Sequence, residues 1–77
     1  MAGESEAVTV DARGHRCPVP TLRLRRAMEA AGDVGPVLLI ADDPMAKIDV
    51  PHFVAQKGWR LIHSAQDGAT LRFLVAG

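Results

Sequence analysis

The segment VLLIADDP, residues 37–44, combines a buried strand with the start of a helix. Its first five residues, 37–41, are all apolar, which is typical of a central strand that is buried on both faces. Two aspartates and a proline follow directly, and these residue types favour the first turn of a helix. The segment therefore predicts a central strand of an α/β sheet, followed by a helix.

A strand and a helix are predicted before this segment. Residues 7–11 alternate in hydropathy, with Val8 and Val10 on one face, as in a short strand. Residues 18–31 predict a helix that begins with prolines and ends at Gly32, which suits a left-handed cap. At helical spacing, one apolar stripe of this helix should face the core: Pro20, Leu24, Ala27, Met28 and Ala31.

Residues 44–57 predict a second helical region. Proline removes a backbone donor and clashes with the preceding turn, so Pro51 should interrupt this region. We expect one turn at 44–48, then a helix at 50–57 that ends at Gly58.

The last segment predicts a β-hairpin. Residues 59–65 alternate, which places four of them on one face: Trp59, Leu61, His63 and Ala65. The dipeptide at 67–68, Asp-Gly, is a tight-turn signal, and residues 69–75 form the returning strand. Trp59 and Phe73 are most simply interpreted as core residues.

The element order is therefore β-α-β-α-β-β. Right-handed crossovers place both helices on the same side of the sheet. The sequence predicts a two-layer α/β sandwich, with a four-stranded mixed sheet and two helices packed on one face.

Size and composition limit the class of protein. The chain has 77 residues, of which 48% are apolar, and a formal net charge of zero. One domain at 7–77 is expected after a disordered tail at 1–6. Zero net charge does not favour nucleic acid or membrane as a partner, and no stretch approaches the ~18 apolar residues that span a bilayer. The expected location is the cytoplasm.

Cys17 is the only cysteine, which excludes an intramolecular disulfide and a cysteine-rich zinc site. It precedes the first helix, where unpaired N–H groups and the helix dipole favour an anion. Five basic residues lie near it, with no acidic residue between positions 11 and 29: Arg13, Arg16, Arg23, Arg25 and Arg26. These features predict a lowered pKa for the Cys17 thiol and a reactive thiolate. The alternative is a buried, inert thiol.

The residues next to Cys17, which include Arg16, are predicted to form the surroundings of the thiol. Pro18 and Pro20 suit the first turn of a helix and would make the approach to the thiol rigid, and Gly14 lies in the loop before it. His15 could accept a proton or pair with the thiolate, but a solvent-exposed loop histidine is the simpler interpretation. The other histidines offer no ligand spacing, so we expect no metal and no cofactor.

The outward side of the first helix is a candidate docking surface of four residues: Leu22, Arg23, Arg25 and Arg26. Leu22 is either an ordinary exposed leucine or a docking contact. The arginines suit an acidic partner surface. They could also bind phosphate, so a regulatory or nucleic-acid-binding module is the alternative function. The zero net charge and the small number of aromatic residues weaken this alternative.

Acidic residues near the predicted loops are interpreted structurally rather than as catalytic groups. Asp42, Asp43 and Asp49 would cap helices. Asp11 and Asp43 would cap or brace the loops.

Three stretches carry a resemblance to a known family. The first is VDARGHRCPVP, residues 10–20, with an aspartate, a glycine and then Cys-Pro-x-Pro. The second is LIADDP, residues 39–44, and the third is DVP, residues 49–51, which is followed by the Asp-Gly hairpin. In this order and spacing they closely resemble the TusA/SirA-like sulfur-carrier family, over residues 10–75.

The resemblance implies the same two-layer sandwich and a sulfurtransferase role. Cys17 would carry sulfane sulfur as a persulfide, loaded by a cysteine desulfurase or a rhodanese-like donor and passed to an acceptor protein. Family destinations include tRNA thiolation, molybdenum cofactor assembly and sulfur oxidation. A monomer fits a carrier that exposes its thiol, and such a carrier turns over within a relay. His15, Val19 and Arg26 depart from the usual family residues, which bears on partner identity.

Two further functions remain open at this point. A thiol redox sensor would cycle Cys17 through sulfenic acid, but with no second cysteine in the chain it would need a partner thiol. A purely structural subunit would not need Cys17 at all.

Overall fold

The structure is a computed structural model and describes residues 8–16, 19–31 and 36–77. The described residues form six elements in the predicted order: β1 (Val8–Asp11), α1 (Val19–Ala31), β2 (Val37–Ala41), α2 (Ala46–Gln56), β3 (Arg60–Asp67) and β4 (Thr70–Ala76). The two-layer α/β class is confirmed. Several predictions fall outside the described residues: the tail at 1–6, the strand start at Ala7, the residues Cys17 and Pro18, and the cap at Gly32.

The sheet has the strand order β1-β2-β4-β3. β1 is parallel to β2, whereas β4 is antiparallel to both of its neighbours, β2 and β3. β1, β2 and β3 therefore run in the same direction and finish at the same edge, which we call the carboxyl end of the sheet. α1 and α2 follow β1 and β2, so both helices begin at this end.

The core lies between the helices and the sheet. Alternate residues of β2 and β4 contribute to it, among them Leu39 and Phe73, which are register partners. From α1, the predicted stripe is confirmed, because Pro20, Leu24 and Met28 are buried and the two alanines pack against the same cluster.

β2 is also covered on the face away from the helices. Leu38 is 3% exposed and its register partner Leu74 is 4% exposed. This confirms the prediction of a central strand that is buried on both faces, and it follows from the position of β2 between two other strands.

The predicted interruption at Pro51 is wrong, because α2 is one helix with Pro51 inside it. A proline in a helix interior costs about 3 kcal/mol. Here Val50 and Val54, on the same helix, are almost fully buried in the core, and this packing holds the helix continuous across the proline. The predicted end is confirmed: Gly58 and Trp59 donate to the carbonyls of Ala55 and Val54, the Schellman pattern.

The predicted alternation at 59–65 is wrong beyond Leu61. Leu61 pairs with Val75 and His63 pairs with the adjacent residue, Leu74, so β3 has an extra residue at Ile62. Such a β-bulge moves all later side chains to the opposite face. His63 and Ala65 therefore lie on the face away from the helices.

Trp59 precedes β3 and packs against the core, as predicted. Its ring meets that of Phe53 edge to face, with 5.7 Å between the centroids. The hairpin is also confirmed: Asp67 pairs with Thr70, and Gly68 has φ +60, which a two-residue turn with glycine in its first central position requires.

Two leucines of α1 provide a test of the core assignment. Leu24 is fully buried, whereas Leu22 is 51% exposed. We expect Leu24→Ala to lower the free energy of unfolding by about 2–5 kcal/mol, because it removes apolar contacts and leaves a cavity. Leu22→Ala should change it by less than about 0.5 kcal/mol. Urea denaturation of both variants measures this, and equal effects would contradict the orientation of α1.

Candidate functional site

Two loops meet at the carboxyl end of the sheet. The loop from β1 to α1, residues 12–18, contains Cys17 and is called the cysteine loop below; residues 12–16 of it are described. The loop from β2 to α2 spans residues 42–45. Because β1 and β2 are parallel neighbours, the two loops leave the sheet side by side. Cys17 and Pro18 lie outside the described residues, so the site is built from the residues on both sides of them.

The cysteine loop is anchored at each end. Ala12 is fully buried, and its N–H donates to the carbonyl of Ile40 at 2.7 Å, which extends the pairing of β1 with β2. On the far side of the cysteine, the Val19 N–H donates to the carbonyl of Arg16 at 2.9 Å. Pro20 then enters the core as the first buried residue of α1. The chain before and after Cys17 is thus held against the domain.

A side chain of the neighbouring loop binds the cysteine loop. The Gly14 N–H donates to Oδ1 of Asp42 at 2.9 Å, across 28 positions of sequence. Gly14 has φ +83, in the left-handed region that favours glycine. Of the three aspartates interpreted as helix caps, Asp43 braces the turn before α2, because its Oδ1 accepts the Met45 N–H at 3.1 Å, and Asp49 lies in the first turn of α2. Asp42 binds the cysteine loop instead.

A bidentate ion pair fixes the start of the cysteine loop. Nε and Nη2 of Arg13 donate to the two carboxylate oxygens of Asp11 at 2.9 and 2.8 Å, and the Arg13 N–H also donates to Oδ1. These hydrogen bonds lower the pKa of Asp11 from 3.8 to about 2. The prediction that Asp11 braces the loop is confirmed.

The arginines near Cys17 in sequence do not act as one positive cluster. Arg13 is paired with Asp11, and Nη1 of Arg23 donates to the backbone carbonyl of Asp11 at 3.3 Å. Nε of Arg25 lies 3.4 Å from Oε2 of Glu29, one helical turn further on. In the described part of the chain, Arg16 and Arg26 make no ion pair. The carboxylate of Asp42 also adds negative charge at the cysteine loop, and the sequence did not indicate this because Asp42 lies 28 positions from Gly14.

The predicted docking surface is brought together on the outer side of α1. Leu22, Arg23, Arg25 and Arg26 are all exposed and line one shallow groove, together with Val19 and Glu29. Two further apolar side chains are exposed at the start of α2, near the same end of the sheet: Met45 and Ile48, with exposed fractions of 50% and 65%. Sequence reasoning missed these two, because a turn followed by a proline break was expected there.

His15 is half-buried, and its N–H donates to the carbonyl of Ala12 at 3.2 Å. Its assistance to the thiol stays a prediction. His52 and His63 are exposed and lie on different elements, α2 and β3. Across residues 8–16, 19–31 and 36–77, no group of three or more potential ligands is placed to hold a metal. Over the same residues, no helix is long and apolar enough to cross a membrane.

Comparison with known proteins adds to this geometry. A family model described as sulfurtransferase TusA matches residues 8–77. A protein of Archaeoglobus fulgidus, provisionally named a sulfur carrier protein, is 42% identical over 69 residues, which cover 86% of this chain and 87% of that protein.

Among solved structures, the fold is similar to that of a SirA-like protein from Desulfitobacterium hafniense, with a TM-score of 0.78. The match covers 88% of this chain and 93% of the other, at 21% sequence identity. At this identity the likeness concerns the fold alone.

The ion pair of Asp11 predicts how the cysteine loop responds to acid. A carboxyl whose pKa is lower in the folded state than in the unfolded state stabilises the fold above its unfolded pKa, here 3.8. This contribution is lost as the pH falls through about 2. NMR titration of the Asp11 carboxyl carbon should give a midpoint near 2, and Arg13→Gln should raise it towards 3.8. An unchanged midpoint would show that Arg13 is not the cause.

Proposed function

Because this chain belongs to the TusA sulfurtransferase family, we propose that it is a sulfur carrier that holds sulfane sulfur as a persulfide on Cys17. One observation carries the proposal. The family match spans residues 8–77, and within it the only cysteine of the chain lies in the loop that leads into α1. Described residues on both sides of Cys17 are anchored by hydrogen bonds, which suits a loop that presents a reacting group.

The proposed reaction consists of two sulfur transfers. In loading, the Cys17 thiolate attacks the outer sulfur of a persulfide on the donor protein; the sulfur–sulfur bond of the donor breaks and its cysteine leaves as a thiolate. In delivery, a thiolate of the acceptor protein attacks the outer sulfur on Cys17, and Cys17 leaves as a thiolate. Each step makes and breaks one sulfur–sulfur bond, so no external oxidant or reductant is consumed.

The surroundings of Cys17 favour the anionic forms that this chemistry needs. α1 begins two residues after Cys17, and a helix N-terminus stabilises a nearby anion through its dipole and unpaired N–H groups. Arg16 directly precedes the cysteine and is exposed. Its positive charge favours both the thiolate and the terminal persulfide anion.

The proposed partners are a cysteine desulfurase or a rhodanese-like donor and a downstream acceptor protein. The docking surface on α1 presents three arginines and Leu22 beside the cysteine loop. Such a surface complements an acidic patch on a partner. tRNA thiolation, molybdenum cofactor assembly and another sulfur-transfer pathway are the proposed destinations. A monomer in the cytoplasm, where thiols stay reduced, suits this role.

The alternative function, nucleic-acid binding through the arginines of α1, has less support. Arg23 and Arg25 already bind oxygens of Asp11 and Glu29. These contacts use one nitrogen of each guanidinium. The chain has only three aromatic residues of the Phe, Trp and Tyr types on which bases could stack, and its net charge is zero.

Persulfide formation is the direct test of the proposal. The purified protein is incubated with a cysteine desulfurase and cysteine, and its intact mass is measured under non-reducing conditions. We expect a gain of about 32 Da, one sulfur atom, that reductant reverses. Cys17→Ala should show no gain.

The reactivity of Cys17 with iodoacetamide separates the possible failures. No sulfur gain from a desulfurase or a rhodanese-like donor, from a protein that iodoacetamide alkylates readily, would reject these donors as partners. No gain together with an inert thiol would mean that Cys17 is buried, and the carrier function would be rejected.

The docking surface yields a separate prediction. In the described part of the chain Arg26 makes no ion pair, so reversing its charge breaks no ion pair among the described residues. We expect Arg26→Glu to raise the KM for the donor by about tenfold with kcat unchanged, because an acidic partner would meet a like charge. Arg60→Glu, at the start of β3, is the matched control and should leave KM unchanged.

A high salt concentration should reduce the difference between wild type and Arg26→Glu, because it screens charges at the surface. Equal KM values for Arg26→Glu, Arg60→Glu and wild type would exclude this surface from donor binding.

A further inference from the structure

We propose that Asp42 is a positioning residue for sulfur transfer, which it supports by holding the cysteine loop through the N–H of Gly14; this inference rests on the proposed function. The hydrogen bond is 2.9 Å long and joins two loops that are 28 positions apart. Its acceptor is a carboxylate oxygen, and hydrogen bonds to charged acceptors are stronger than those between neutral groups.

Both ends of this contact start from rigid parts of the fold. Asp42 directly follows Ala41, the last residue of β2, and Ala41 is fully buried. Gly14 comes two residues after Ala12, which is fully buried and bonded to Ile40. The central strand of the sheet therefore sets the position of the Asp42 carboxylate. Through its hydrogen bond to the Gly14 N–H, this carboxylate holds the cysteine loop relative to the sheet.

Beyond Ala12, the other hydrogen bonds of the described part of the loop, residues 13–16, are local. The His15 N–H donates to Ala12, within the loop, and Arg13 pairs with Asp11, which directly precedes the loop. Among the described residues between Ala12 and Arg16, Gly14 is thus the residue whose backbone binds a side chain of another loop, that of Asp42. Gly14 lies three residues before Cys17 in the sequence, so a hold on Gly14 restricts the course of the chain that leads to the cysteine.

The negative charge of Asp42 opposes sulfur transfer, whereas the hydrogen bond that its oxygen accepts from Gly14 favours it. A carboxylate near a thiolate or a persulfide anion raises the free energy of that anion. A role in positioning therefore requires the acceptor oxygen and not the charge. Asparagine retains an oxygen at the same place without the charge, and alanine removes both.

Four variants isolate the contact. Asp42→Ala and Asp42→Asn lose the same charge and differ in the acceptor oxygen. Gly14→Ala disturbs the other partner, because an alanine at φ +83 is strained although its Cβ would meet nothing within 4 Å. Gly68→Ala is its matched control in the hairpin, with φ +60 and the same open space.

Two rate constants are measured for the wild type and each variant: persulfide loading by a cysteine desulfurase, and alkylation of Cys17 by iodoacetamide, which needs no partner. We expect Asp42→Ala and Gly14→Ala to load about tenfold more slowly, the effect of losing one hydrogen bond to a charged group. Asp42→Asn should stay within about threefold of wild type, and Gly68→Ala should be unchanged. Alkylation rates should follow the same order.

Equal rates for Asp42→Ala and Asp42→Asn would overturn the inference, because the charge rather than the hydrogen bond would then matter. Equal losses in Gly14→Ala and Gly68→Ala would overturn it too, since lost stability alone would explain both. If neither a desulfurase nor a rhodanese-like donor loads the wild type although iodoacetamide alkylates it, these donors are rejected as partners in the proposed function. The alkylation rates then decide the inference about Asp42 by the same comparison.

Discussion

The parallel pairing of β1 with β2 is the constraint on which the rest of the structure depends. Val10 pairs with Leu39 and Asp11 with Ile40, and the Ala12 N–H continues the pairing beyond β1. This register directs Val10 towards the core, and a slip of one residue would turn it away from the helices. The same pairing sends the cysteine loop and the loop at 42–45 out of one edge of the sheet. The Gly14–Asp42 contact is therefore a consequence of the strand register.

β4 completes the sheet by entering between β2 and β3 in the opposite direction. It supplies core residues to the helix side through Leu71, Phe73 and Val75, and it covers Leu38 on the other side through Leu74. The bulge at Ile62 lets β3 keep Leu61 on the core and turn His63 away from it. A strand at the edge of a sheet tolerates such a bulge because it has a pairing partner on one side only.

Local patterns predicted most of the fold. The apolar run at 37–41, the stripe on α1 and the hairpin signal each act within a few residues, and all three are confirmed. The two errors arose where tertiary contacts override the local pattern. Pro51 stays in α2 because buried valines on both sides of it hold the helix to the core, and the bulge at Ile62 depends on its pairing with β4. For the site, the sequence indicated Cys17 and the outer face of α1, but it could not reveal a contact between residues 28 apart.

The site also separates two tasks that a sulfur carrier has to combine. Recognition is proposed for the outer face of α1, where Leu22 and Arg26 are exposed to an approaching protein. Positioning is proposed for Asp42, which contacts the cysteine loop from the neighbouring loop. The two groups lie on different elements. Substitutions on α1 can therefore alter partner recognition while the anchoring of the cysteine loop stays the same. A carrier that reacts with one protein as acceptor and with another as donor needs this independence, since both partners must find the same thiol in the same place.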